Sequence, residues 1–166
     1  EYFEVMVDIL FKFDGTLDKF VGDEIIALFG APLEMLDAPL KAVTCALEMQ
    51  RELRELNRTR AAEMHEPIRI GMGINTGMVV TGAIGSSKAL QYTAIGDAMN
   101  TASRLCSAAK ADEIIVSEST MAKIADHVEA AAMTPIEVKG KRDKLSIYNV
   151  LALKSESWQR DATRTV

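Results

Sequence analysis

The stretch DGTLDKFVGDEIIALFGAP, residues 14–32, sets two apolar runs, TLDKFV and EIIALF, on either side of Gly22 and Asp23. Apolar and β-branched residues flanking a Gly-Asp pair predict a β-hairpin closed by a tight turn. The hairpin carries an odd cargo for such a place: Lys19 inside one strand, and Asp23 and Glu24 at the tip. Acidic residues favour turns, so either carboxylate alone has an ordinary structural explanation. Lys19 is harder to place. By strand alternation it shares a face with Leu17 and Val21, so its stem must lie along apolar surface and its ammonium must reach a polar partner.

Working outward, EYFEVMVDILFKF (1–13) puts Tyr2, Phe3, Met6, Val7, Leu10 and Phe13 on one side of a helix that Asp14 and Gly15 close. A chain that opens inside a helix reads as a piece cut from a longer polypeptide. LDAPLKAVTCALEMQRELRELN (36–57) predicts a long helix with Asp37 at its N-cap, Pro39 in its first turn and an apolar face of Leu40, Val43, Leu47, Leu53 and Leu56. IRIGMGINTGMVVTGAIG (68–85) alternates β-branched residues with glycines, the mark of strands lying close beside another backbone or a ligand, with a bend at Gly77. YTAIG then ends a strand, and DAMNTASRLCSAAK turns helical with Asp97 as its N-cap. EIIVS predicts a strand, ESTMAKIADHV a helix, and TPIEVKG with LSIYNVLAL a closing strand pair about the turn KRD. The order predicts one α/β domain over 1–153, a sheet with helices on one face, followed by a polar tail over 154–166.

Composition bounds the function. The 166 residues are 48% hydrophobic, enough for one sizeable core. A net charge of −5 excludes a broad basic surface for nucleic acid or anionic membrane, so any phosphate contact must be local. Cys45 and Cys106 both sit in apolar helical patterns, which reads as small core residues in a reducing, cytoplasmic compartment and not as a disulfide. No apolar run reaches the roughly 18 residues that insertion into a bilayer requires. His65 and His127 fall at loop and helix-end positions and receive no chemistry.

A second polar constellation lies on the helix after YTAIG. Asn100 and Arg104, four apart, emerge on one helical face. Ordinary solvated faces are flanked by charges, whereas here the flanks are Ala98, Met99, Ala102 and Leu105. A guanidinium beside packed surface is suited to receive phosphate oxygens bidentately.

Together, GTLDKFVGDEIIALFGAP, MGINTGMVVTGAIGS, YTAIGDAMNTASRL and EVKG resemble the catalytic domain of class III adenylyl and guanylyl cyclases, most of all bacterial-type adenylyl cyclases. The four motifs occur in order over nearly the whole chain. The resemblance implies a ferredoxin-like α+β core with a mixed, mainly antiparallel sheet, and a head-to-tail homodimer whose active sites draw on both chains. It implies conversion of ATP to cyclic AMP and pyrophosphate by attack of the ribose 3′-hydroxyl on the α-phosphorus, with two divalent cations, Mg2+ or Mn2+. By the same resemblance Asp23 is a metal-binding aspartate, Lys19 the purine-selecting lysine and Thr93 the second purine contact, where many relatives carry Asp. Asn100 matches the residue that positions the ribose, Arg104 the one that offsets charge growing on the α-phosphate, and Lys139 the one that holds the terminal phosphates, with Lys141 as a weaker substitute. The chemistry of Lys19 is legible: an ammonium only donates, adenine N1 only accepts, and guanine N1 carries a hydrogen. A threonine hydroxyl can accept from the adenine 6-amino group but can also donate to an oxo group, which predicts looser selection at Thr93.

The family's other metal aspartate belongs to a first strand upstream of the helix where this sequence opens. VMVDIL imitates that strand, but Asp8 lies on the amphipathic helix and too near Asp23 in sequence, so it is not assigned to metal. Two rival readings remain open. VGDEI also resembles the signature of diguanylate cyclases, although Val21 replaces a glycine and the Lys19 and GDAMNTASR features have no counterpart there. The other rival is a non-catalytic module for nucleotide sensing or dimerisation.

Overall fold

The computed structural model describes residues 1–137 and 144–154. Helix α1 (Tyr2–Lys12) leads into the hairpin β1 (Thr16–Val21) and β2 (Glu24–Leu28), and the long α2 (Ala38–Ala62) follows. After β3 (Met72–Ile74) come a second hairpin, β4 (Val80–Ser86) and β5 (Ala89–Ile95), and helix α3 (Asp97–Ala108). The chain continues through β6 (Ile114–Ser117), α4 (Glu118–Ile124), β7 (Val128–Ala132) and β8 (Ile147–Leu153).

The main sheet has the order β3-β6-β8-β7. β3 runs parallel to β6, and the β6–β8 and β7–β8 pairs are antiparallel, so the sheet is mixed as expected. The two hairpins form separate two-stranded sheets. In the first, Val21 pairs with Glu24 around Gly22 and Asp23, and Gly22 takes φ +62°, the positive value that the first central position of a type II′ turn demands.

β6 is buried along its whole length. Ile114 and Val116 pack with Val43 and Ala46 of α2 and Ile124 of α4, while Ile115 packs with Leu105 of α3. Because side chains alternate across a strand, α2 and α4 cover one face and α3 the other. The expectation of helices on one face is corrected by α3. A third cluster joins Met6, Ile9 and Leu10 of α1 with Cys45 and Leu53 of α2, and Leu17, Ile25 and Ala27 of the first hairpin pack against it. Fully burying a leucine such as Leu10 or Leu53 contributes about 1.5–3 kcal/mol. Exposed ion pairs such as Arg58–Glu55 on α2 are worth less than about 1 kcal/mol each, so the apolar stripe is what holds α2.

Other departures from the sequence reading have local causes. Asp37 is the N-cap of α2 with Pro39 in the first turn, as expected, but α3 is capped by Gly96, leaving Asp97 inside the first turn. Of the closing pair TPIEVKG with LSIYNVLAL, Ile136 bridges to Leu145 antiparallel as expected, residues 138–140 lie outside the described residues, and β8 takes its longer ladder from β7, an added strand. VEAAA has a helix-like composition, and pairing with β8 overrides it. α4 accordingly stops at Ile124.

α3 lies close against β3 because Gly73 has no side chain: a Cβ there would run into the backbone of Cys106 and the carbonyl of Ala102. Gly73→Val should therefore destabilise the protein by at least about 1–3 kcal/mol, read as a lower urea midpoint at unchanged slope. The core also predicts a pH dependence. Burial, reinforced by nearby Glu48, pushes the Cys45 thiol from 9.0 up to about 12. The unfolded chain releases this proton first, so the contribution is intact below pH 9 and is lost as pH rises toward 12. Urea titrations from neutral to alkaline pH should show Cys45→Ala flattening that decline.

Candidate active site

Two sequence-distant strands create the first part of the site. A bulge in β1 falls between Leu17 and Lys19, so the strand register slips at Asp18. The slip cancels the expected shared face: Leu17 packs with the α1–α2 core, while Lys19 turns to β5. Its Nζ donates to Thr93 Oγ1 at 2.7 Å, so two residues 74 positions apart meet. Thr93 is buried, at 7% exposure, and the Lys19 side chain beside it is 31% exposed.

Asp18 is the member of this group that sequence reasoning missed. Its side chain is 2% exposed. Asp18 Oδ1 accepts the Ala94 N–H at 3.0 Å, and Oδ2 accepts the Thr93 hydroxyl at 2.9 Å and lies 3.2 Å from Lys19 Nζ. A carboxylate between Leu17 and Lys19 in a strand was the available signal; strict alternation hid it, because only a bulge lets neighbouring side chains converge.

The second part is α3. Its first turn follows Gly96, whose φ of 148° breaks β5 and starts the helix. Asn100 and Arg104 are exposed one turn apart, as the spacing predicts, over a face anchored by buried Leu105 and Thr101. Arg104 has no hydrogen-bond or ion-pair partner among the described residues.

Asp23 is exposed at the hairpin tip, and its charge reaches the phenol of Tyr2, which burial first, then Asp23, then Cys106 raise above its usual range. Glu24 faces α3. Burial first, then the charge of Glu24 and a hydrogen bond to it, raise the Cys106 thiol, and the Gly73 backbone opposes this. Both Cys45 and Cys106 are free thiols. Lys139 and Lys141 lie outside the described residues. No hydrogen bond or ion pair among the described residues joins Lys19 and Thr93 to Asp23, Asn100 or Arg104.

A hard divalent cation needs about six oxygen ligands. Among the described residues no group of three or more His, Cys, Asp or Glu side chains converges, and Asp8 is exposed on α1. Asp23 supplies one carboxylate, and the described residues do not complete a two-cation site.

What the arrangement offers is a donor–acceptor pair at a sheet edge and an amide–guanidinium pair on a helix, groups suited to a purine edge and to a sugar phosphate. Residues 2–152 match the model of the adenylate and guanylate cyclase catalytic domain. Adenylate cyclase 1 of Rhizobium meliloti (strain 1021) is 32% identical over 155 residues, covering 92% of this chain and 23% of the relative. This chain therefore spans less than a quarter of that relative's length. Among solved structures, the adenylyl cyclase CyaB from P. aeruginosa superposes with a TM-score of 0.88 at 34% identity, over 93% of this chain and 80% of that one. The guanylyl cyclase Cya2 superposes with a TM-score of 0.87 at 36% identity, over 94% and 79%. With the α+β architecture shared and nearly every described element inside the matched span, the chain belongs to the adenylate and guanylate cyclase catalytic-domain family.

Proposed function

We propose that this domain converts ATP to 3′,5′-cyclic AMP and pyrophosphate at sites shared by two head-to-tail copies. Similar proteins include both adenylyl and guanylyl cyclases, so base choice has to be read from this chain's own residues. The observation that carries the reading is the 2.7 Å bond from Lys19 to Thr93, which sets a donor beside an acceptor. Adenine offers the complement, an accepting N1 next to a donating 6-amino group. Guanine offers N1–H and an oxo group in the same places, so both contacts are mismatched. The diguanylate alternative loses its footing, since Lys19 and the α3 residues belong to the matched family's span.

In the reaction the ribose 3′-oxygen gives up its proton to solvent and bonds to the α-phosphorus as the bond to the pyrophosphate oxygen breaks, the electron pair leaving with pyrophosphate. Arg104, with no carboxylate claiming it among the described residues, offsets negative charge that grows on the α-phosphate in the transition state. Asn100, one turn earlier, holds the ribose, and Lys139 holds the terminal phosphates. The family is generally dependent on divalent metal ions, and Asp23 is the carboxylate of this chain that would help hold them, supplying negative oxygen ligands at the hairpin tip. Pairing of two copies is supported by the second hairpin, which leaves Val80, Leu90, Tyr92 and Ile95 more than half exposed. Apolar side chains in that number on one hairpin are the usual mark of an interface.

The rival reading is a domain that binds nucleotide and pairs without turnover. Assay of both cyclic products with ATP, GTP and manganese separates the two readings, cyclic AMP being expected. Lys19→Glu exchanges a donor for an acceptor and should lower the ATP-over-GTP ratio of kcat/KM by about tenfold or more, since an unsatisfied buried contact costs about 1–3 kcal/mol. An unchanged ratio refutes the purine-contact role.

Arg104→Ala should lower kcat by about 100-fold with little change in KM, because the charge it meets appears only in the transition state. Asp23→Ala should be inactive as well. Mixing these two variants of the full-length protein tests the shared site: in a mixed dimer one cavity takes both defects and the other has neither. Activity should return toward half that of the unaltered protein within the mixed population. Silence after demonstrated subunit exchange rules out sites built from two chains.

A further inference from the structure

Asp18 has no part in the reading above, yet it is the most thoroughly bonded polar group of the site. A carboxylate is retained in a buried position when its oxygens are satisfied, and here both are: Oδ1 by the Ala94 N–H at 3.0 Å, Oδ2 by the Thr93 hydroxyl at 2.9 Å and by Lys19 Nζ at 3.2 Å. A hydroxyl has one hydrogen and two lone pairs. The hydrogen of Thr93 goes to Asp18, and one lone pair takes a hydrogen from Lys19 at 2.7 Å. The remaining lone pair can only accept. A carboxylate has no hydrogen to give back, so this polarity cannot reverse while Asp18 stays in place. Lys19, with three hydrogens, keeps one beyond those turned to Thr93 and Asp18.

We infer that Asp18 is a positioning residue for base choice: it holds the Thr93 hydroxyl as an acceptor only, so that the site takes a purine bearing a 6-amino group and rejects one bearing an oxygen there. The inference rests on the proposed purine contacts of Lys19 and Thr93. It changes what threonine means at this position. Alone, its hydroxyl would turn to suit either base; bound to Asp18 it behaves like the carboxylate that many family members carry there.

Asp18→Asn is the isosteric test. The amide oxygen stays on the Ala94 N–H, because the opposite orientation sets an NH2 group against that N–H; the NH2 then points at Thr93. The hydroxyl becomes an acceptor from the amide and its hydrogen is freed for the nucleotide. Three substrates isolate the 6-position while leaving N1 bare: ATP, purine riboside triphosphate and 6-methoxypurine riboside triphosphate. With the full-length protein, the ATP-to-methoxy ratio of kcat/KM should fall by about tenfold or more in Asp18→Asn, carried by KM and not by kcat for ATP. A ratio unchanged within about twofold overturns the inference. Should Asp18→Asn lack a cooperative thermal transition, the unaltered protein decides: the methoxy nucleotide should turn over less well than the unsubstituted purine, and equal or better turnover means that Thr93 donates freely and the inference is wrong. Lys19→Glu, run alongside, separates the two levels. If it leaves the ATP-over-GTP ratio unchanged, the purine-contact reading itself has failed. If it moves that ratio while Asp18→Asn moves neither ratio, only the role of Asp18 has.

Discussion

The structure is organised by a strand that has no solvent face. β6, buried throughout, is flanked by β3 and β8, and its alternating side chains must be covered from both sides. Ile114 and Val116 require α2 and α4, and Ile115 requires Leu105 of α3. A parallel, half-buried neighbour such as β3 belongs to this arrangement, since parallel strands occur where both faces of a sheet are packed. α3 is thus fixed by its inner face, and its outer face is free to carry polar groups. Gly73 sets how near the helix approaches, so the placement of Asn100 and Arg104 follows from a missing Cβ on the neighbouring strand.

The two hairpins obey a different logic. Each is paired internally and lies outside the main sheet, so neither is placed by a continuous ladder. The first is seated by apolar contact of Leu17, Ile25 and Ala27 with α1 and α2. At Asp18 its edge changes character: a bulge turns one carboxylate inward, and that carboxylate bonds the backbone and the side chain of β5. Bulges re-aim side chains at the cost of a ladder position, and here the re-aimed groups are the ones that form the polar cluster. Removing one member of such a buried network leaves the others unsatisfied, so the cluster couples the seating of β5 to the chemistry it presents.

The neighbouring thiols and acids show how burial separates structural from reactive groups. Cys106 and Cys45 are both pushed toward the protonated form chiefly by burial, which makes them poor nucleophiles and suits a packing role. Asp23 and Arg104 sit at exposed positions, where charge costs little and partners can arrive from outside the chain.

Sequence alone determined the elements whose signals are local. The hairpin about Gly22, the apolar stripe of α2 with Asp37 and Pro39 at its start, and the Asn100–Arg104 spacing on α3 depend on residues within a few turns of one another, and periodicity records such relations. Motifs placed Lys19 and Thr93 among the site residues, but not that they touch. Tertiary structure decided what depends on partners far along the chain. VEAAA became β7 because β8 offered it a ladder, and α3 crossed to the second face because Ile115 needed cover. Asp18 entered the site because a one-residue slip in β1 sent it inward, where β5 had an N–H and a hydroxyl to satisfy it. Alternation along a single strand cannot foresee such a slip, since what stabilises it is hydrogen bonding to a strand more than 70 residues away.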